Sequence, residues 1–215
     1  MSTPILKIDN VVKKYYMGLV NKKETFSIEA DLQFDEPAIV GMMGANGAGK
    51  TTLFEIMTGG NQPTEGKVYC LGKDIHNVKY NERDRLAIHY HQSYQVRKIK
   101  KRKPNFMLDA AGNDYPIVHL FDEPQFNTQD GYIGFMLDFF QKLRSEGRLV
   151  FLCVHPMEHY HLEIMEEVCE KYLFVCKGKV RQYANWQEYT ADEDVRNYLG
   201  DNLSSYEKNH ENHIN

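Results

Sequence analysis

Residues 38–52 read AIVGMMGANGAGKTT. AIVGMM has no polar face, so as a strand it must be covered on both sides, as in a parallel sheet flanked by helices. The turn after it fits G-x-x-x-x-G-K-[ST] with Gly44, Gly49, Lys50 and Thr51, and a helical segment follows, ending near Gly59 and Gly60. Glycines at this spacing let successive backbone N–H groups curl into a nest around a phosphate, and the helix N-terminus adds its positive end. The candidate cradle is Gly44, Ala45, Asn46, Gly47, Ala48, Gly49, Lys50, Thr51 and Thr52. In it Lys50 would reach the β- and γ-phosphates and the Thr51 hydroxyl would hold Mg²⁺.

The flanking patterns extend this core. In TFSIEADLQF (25–34) the residues Phe26, Ile28, Ala30, Leu32 and Phe34 share one face, the period of a half-buried strand. PILKIDNVVKKYY (4–16), KVYCL (67–71) and RLAIHY (85–90) read as further strands. Downstream the rhythm becomes strand, helix, strand: IVHLF (117–121), an amphipathic helix over 131–147, LVFLCV (149–154), a helix over 157–171, and a hairpin over 172–183 turning at Gly178. The pattern predicts an α/β fold, a parallel core with an antiparallel β portion. Residues 200–215 are polar and are expected to form a disordered C-terminal tail after a domain spanning 1–199.

Charge is distributed unevenly. The net charge is −4, yet QVRKIKKRKP (95–104) holds six positive residues, Arg97, Lys98, Lys100, Lys101, Arg102 and Lys103. Without them 20 basic residues face 30 acidic ones, a poor body for sequence-independent nucleic-acid binding. The run also lacks interleaved aromatics, so it reads as a solvated linker or as a patch for an acidic partner or anionic surface. Cys70, Cys153, Cys169 and Cys176 show no CxxC spacing, and no apolar run approaches the ~20 residues that span a bilayer. The expected setting is cytoplasmic, with any membrane contact made through a partner.

IVHLFDEP ends an apolar strand in Asp122 and Glu123, placing two carboxylates at the edge of a parallel sheet where ligands bind. Asp122 would hold Mg²⁺, and Glu123 would orient or deprotonate an attacking water. With these motifs the chain resembles an ATP-binding-cassette (ABC) ATPase, and in particular the nucleotide-binding subunits of ABC transporters, over residues 4–92 and 110–190. The resemblance implies a P-loop NTPase core with an N-terminal antiparallel β subdomain. It makes GANGAGKTT the Walker A loop and FDEP the end of Walker B. It also makes Gln92 the Q-loop glutamine that senses Mg²⁺ and the γ-phosphate, His155 the switch histidine, and Tyr15, with Tyr16 as second choice, the aromatic that stacks on adenine.

The family pattern is incomplete. Gln92 and Asp122 are 30 residues apart, too few for the family's helical subdomain, and no LSGGQ-like signature string occurs anywhere in the chain. The short segment 93–116 stands in its place, and Asp130 falls one residue later than the D-loop pattern would put it. In the family two cassettes pair head to tail, each completing the other's ATP site with that signature. The implied function is an ABC-type ATPase that binds and slowly hydrolyses MgATP as a subunit of a membrane-associated complex. A homodimer or heterodimer would lack the usual trans contact. The alternative is a nucleotide-binding regulatory or scaffold subunit. A small-molecule kinase is disfavoured, because the DEP carboxylates and the downstream histidine suit attack by water.

Overall fold

The computed structural model describes residues 3–18, 22–91, 116–124 and 132–214. Its centre is β3 (Ile39–Met43), the apolar strand that opens the glycine turn, with all five residues buried. β3 pairs in parallel with β8 (Leu149–Cys153) on one side and with β9 (Lys171–Cys176) on the other. β8 in turn pairs in parallel with β7 (Val118–Asp122), and β7 with β6 (Ala87–His91). Alternate residues of these strands face opposite sides. Val40, Met42, Leu120 and Phe151 join one apolar cluster, while Ile39, Met43, Phe121 and Val150 join the other. Two covered faces explain why β3 and β8 are apolar without interruption and why all five residues of β7 are buried, His119 and Asp122 included.

The antiparallel portion continues the same sheet. β1 (Leu6–Met17) pairs with β2 (Lys23–Phe34) and with β4 (Glu65–Cys70), and β4 with the two-residue β5 (Lys73–Asp74). β2 then meets β10 (Lys179–Tyr183), the second arm of the hairpin with β9. The ten strands run β5-β4-β1-β2-β10-β9-β3-β8-β7-β6. The expected α/β class holds, and the β portion is joined edge to edge with the core. β2 alternates as its sequence requires: Ile28, Ala30, Leu32 and Phe34 are buried and the residues between them are exposed.

Helices complete the layers. α1 (Lys50–Met57) sends Leu53, Phe54, Ile56 and Met57 into the first cluster. α2 (Tyr80–Leu86) was not anticipated: Arg85 and Leu86, expected in a strand, close this helix instead. α3 (Tyr132–Ser145) and α4 (His159–Val168) cover the second face with Phe139, Phe140, Leu162 and Met165. α5 (Trp186–Ala191) and α6 (Glu193–Leu199) follow, started by Asn185 and Asp192, whose side chains accept from backbone N–H groups of the first turn.

The expected disordered tail is instead α7 (Asp201–Ile214). Its apolar residues Leu203 and Tyr206 lie at helical spacing and are buried, next to buried Leu199 at the end of α6. Tyr206 meets Trp186 edge to face at 5.7 Å, and its hydroxyl donates to Glu166 of α4. A polar average concealed an apolar stripe long enough to dock.

One buried group makes the fold sensitive to acid. His119 on β7 is fully buried, with Nε2 on the Pro116 carbonyl at 3.0 Å and Nδ1 on the Tyr90 hydroxyl at 3.1 Å. Burial, with the nearby Arg148 charge, lowers its pKa to about 3. An unfolded histidine titrates near 6.5, so between these values the unfolded chain binds the extra proton and stability rises with pH. Stability from this residue is therefore full above about pH 6.5 and declines progressively towards pH 3, by up to ~1.4 kcal/mol per pH unit. Melting temperature measured from pH 7 to pH 4.5 should fall less steeply in His119→Gln than in the wild type. Parallel curves would show that His119 does not govern the acid limb.

Candidate active site

Three parallel strands end at one edge. Met42 of β3 and Asp122 of β7 both pair with Cys153 of β8, so their carboxyl ends lie side by side. From that edge emerge the glycine turn, the Asp122–Glu123 pair and the His155 segment. Carboxyl ends of parallel strands are where open α/β sheets bind ligands.

The turn has the backbone its sequence demands. Gly44 (φ 154°) lies so close to β9 that a Cβ there would meet the Val175 carbonyl oxygen at 2.2 Å. Gly49 (φ 110°) stands immediately before α1, and a Cβ would come within 2.8 Å of Phe26 and Ile28 side-chain carbons. No side chain caps this helix start and no acidic residue occupies its first turn, so its N–H groups are left for an anion. Lys50 is only 7% exposed, and its ammonium donates to the carbonyls of Gly44 (2.6 Å) and Ala45 (3.0 Å). Those two bonds hold the cation inside the curl of the loop.

Asn46, Gly47, Gly49, Lys50, Thr51 and Thr52 line a cleft of about 280 Å³ together with Phe26 and Glu123. Glu123 adopts φ 51°, unusual for a residue with a side chain, and its backbone N–H bonds to the Cys153 carbonyl at 2.9 Å. Side-chain-bearing residues held in this region cluster at functional sites.

Asp122 is the hub of the polar contacts. The Thr51 hydroxyl donates to its Oδ2 at 2.9 Å, and His89 Nε2 lies 3.3 Å from the same oxygen. Burial alone would raise the Asp122 carboxyl. Hydrogen bonds from His89, Thr51 and Cys153, with the His89 charge, outweigh it and hold the group below the usual carboxylate range. Burial also pushes the Cys153 thiol far up, so that it remains a neutral donor. The donor set suits a hard cation. Thr51 spends its proton on Asp122, leaving hydroxyl lone pairs beside a carboxylate, and Mg²⁺ takes oxygen ligands of that kind.

The other anticipated residues fall differently. Tyr15 lies opposite Phe26 in the β1–β2 ladder, with ring centroids 6.0 Å apart, and its hydroxyl accepts from Asn61 Nδ2 at 2.7 Å. It stands one ring away from the cleft at the glycine turn, whereas Tyr16 is 52% exposed. His155 follows β8 and is half-buried, with Nδ1 3.3 Å from the Tyr198 hydroxyl. Gln92, Asp130 and the basic run 97–103 lie outside the described residues.

Phe26, His89 and Tyr198 escaped the sequence reading. A signal existed only for the first two: Phe26 is on the apolar face of its strand, and His89 interrupts an apolar one.

The comparisons agree with this geometry. A family model described as "ABC transporter" matches residues 29–114. An uncharacterised ABC transporter ATP-binding protein of Methanocaldococcus jannaschii is 26% identical over 86% of this chain and 79% of its own. A ribose import ATP-binding protein of Caldanaerobacter subterraneus is 23% identical over 94% of this chain, which spans about half (49%) of that relative. Among solved structures, an ATP-binding cassette of an ABC transporter in its ADP conformation superimposes with TM-score 0.64 at 17% identity, covering 93% of this chain and all of that one (100%). A dimeric cassette in a post-hydrolysis state with ADP and phosphate gives TM-score 0.61 at 17% identity over 83% of this chain and 98% of its own. At these identities the solved structures establish the fold. Taken with the sequence matches, they show an ATP-binding-cassette fold in a chain that is similar in sequence to the ATP-binding subunits of ABC transporters.

Proposed function

We propose that the chain binds MgATP at the Gly44–Thr52 loop and hydrolyses it slowly, as the nucleotide-driven subunit of a membrane-associated complex. One observation carries this reading. Thr51 Oγ1 and Asp122 Oδ2 meet at 2.9 Å although 71 residues separate them, and the same edge presents Lys50 and Glu123 to one cleft.

Each residue has a definable task. The backbone N–H groups after Gly44 and the start of α1 bind and orient the phosphates, and Lys50 supplies the point charge among them. Thr51 and Asp122 would hold Mg²⁺, with Gln92 as a further ligand. When bound, that cation neutralises charge building on the phosphate oxygens. Glu123 orients a water and accepts its proton, and His155 donates to the γ-phosphate oxygens. Tyr15 stacks on the adenine, extending the Phe26 ring surface beyond the cleft.

The setting is inferred from the relatives. One is an import ATP-binding protein and another an ABC transporter ATP-binding protein. Among the described residues no helix is long and apolar enough to cross a membrane, so membrane contact would be made through a partner.

The missing LSGGQ-like string supports slow turnover by the chain alone and favours a second reading, a scaffold subunit that closes on ATP with negligible hydrolysis. Phosphate release from MgATP, measured without an added acceptor and with or without a co-purified membrane fraction, separates the two. Slow release that the membrane fraction accelerates supports the ATPase. Binding without release in either condition supports the scaffold.

A further inference from the structure

The C-terminal helices reach the nucleotide edge of the sheet. Tyr198, on α6, is half-buried, and its ring rests against Phe174 of β9 with centroids 5.5 Å apart. Its hydroxyl lies 3.3 Å from His155 Nδ1. Four residues on, at the start of α7, Asn202 Nδ2 donates to the Pro156 carbonyl at 2.9 Å. The Tyr206 bond to Glu166 then fixes α7 to α4, the helix that the His155 segment enters. Two consecutive residues of that segment, His155 and Pro156, are thus held by a terminal helical pair.

The hydrogen-bond inventory makes this contact directional. A tyrosine hydroxyl has one proton to give. His155 Nδ1, at 3.3 Å, is the side-chain acceptor within hydrogen-bond reach of it among the described residues. Burial moves the phenol up to about 12, so the proton is present at neutral pH. A neutral imidazole that accepts at Nδ1 carries its own hydrogen on Nε2.

We propose that Tyr198 is a positioning residue that holds His155 in its Nε2–H tautomer, making α6 and α7 part of the frame of the nucleotide site. The consequence for catalysis rests on the ATPase reading above: Nε2–H is the donor that an anionic phosphate oxygen needs, and the other tautomer would present a lone pair to it. The tautomer itself does not depend on that reading.

The test is ¹⁵N-histidine NMR of the full chain, wild type and Tyr198→Phe, with turnover measured on the same samples. Phenylalanine keeps the ring against Phe174 and deletes only the hydroxyl. The expected result is a single Nε2–H form for His155 in the wild type and a mixture of tautomers in the variant. Alongside it, kcat should fall about tenfold, equivalent to ~1.4 kcal/mol, with KM for MgATP unchanged. A wild-type His155 protonated at Nδ1, or the same tautomer ratio in both proteins, overturns the proposal, and the first of these needs no variant. A Tyr198→Phe chain with wild-type kcat overturns the positioning role. If the wild type releases no phosphate at all, the ATPase reading fails, while the tautomer comparison still decides this one.

Discussion

Lys50→Ala is expected to remove about half or more of the thermal stabilisation conferred by MgATP. A ligand selective for the folded state at about 100 times its Kd stabilises by ~2.7 kcal/mol, roughly 5–10 °C in melting temperature for a chain of this size. Lys50 contributes the only charged side chain that reaches into the loop cleft from the glycine turn itself. Hydrogen bonds to charged groups are worth ~1.5–3 kcal/mol, so its loss weakens binding by about 10- to 150-fold. At the same nucleotide concentration the variant should then shift by no more than a few degrees. The two loop carbonyls released by the ammonium also lose their donor, so the melting temperature of the variant without nucleotide must be measured as its own reference. A shift as large as that of the wild type would place the nucleotide elsewhere.

Glu123→Gln is expected to separate binding from chemistry. The amide is isosteric and keeps the backbone bond to the Cys153 carbonyl, so the φ 51° conformation and the cleft wall should persist. It cannot take a proton from water, and general-base catalysis typically contributes 10²- to 10⁴-fold. Phosphate release should therefore drop by about that factor, while the MgATP-induced thermal shift stays close to that of the wild type. Turnover that survives the substitution would remove Glu123 from its assigned role. Loss of the thermal shift together with turnover would instead show that the carboxylate contributes to binding.

Part of this site could be read directly from the chain. The glycine turn is local: its backbone conformation, the lysine and the threonine lie within nine consecutive residues, so spacing alone defines the chemistry. The same holds for Asp122 and Glu123, since an apolar run ending in two acids marks a strand's carboxyl end wherever that strand sits. Strands β3 and β8 were legible because burial on two faces leaves no polar residue, β7 because its run is apolar apart from His119 and the terminal Asp122, and β2 because burial on one face imposes a period of two. α2 was not, because its seven residues bury only Leu86 and carry no apolar stripe. α7 was misjudged because Leu203 and Tyr206 are sparse in a polar segment and acquire meaning only against α4 and Trp186.

The sequence by itself determined the phosphate loop, the paired carboxylates and the alternation that makes an α/β sheet, since each depends on neighbours in the chain. Tertiary structure decided that His89 bonds the Asp122 carboxylate 33 residues away, that Phe26 walls the loop at Gly49, and that Tyr198 meets His155 across 43 residues. These contacts depend on strand order and register. Parallel pairing sets Asp122 opposite Cys153 and His91, and the fold of the last helices sets Tyr198 over the same edge. Local periodicity fixes which face a residue occupies; only packing of the whole sheet fixes what that face meets.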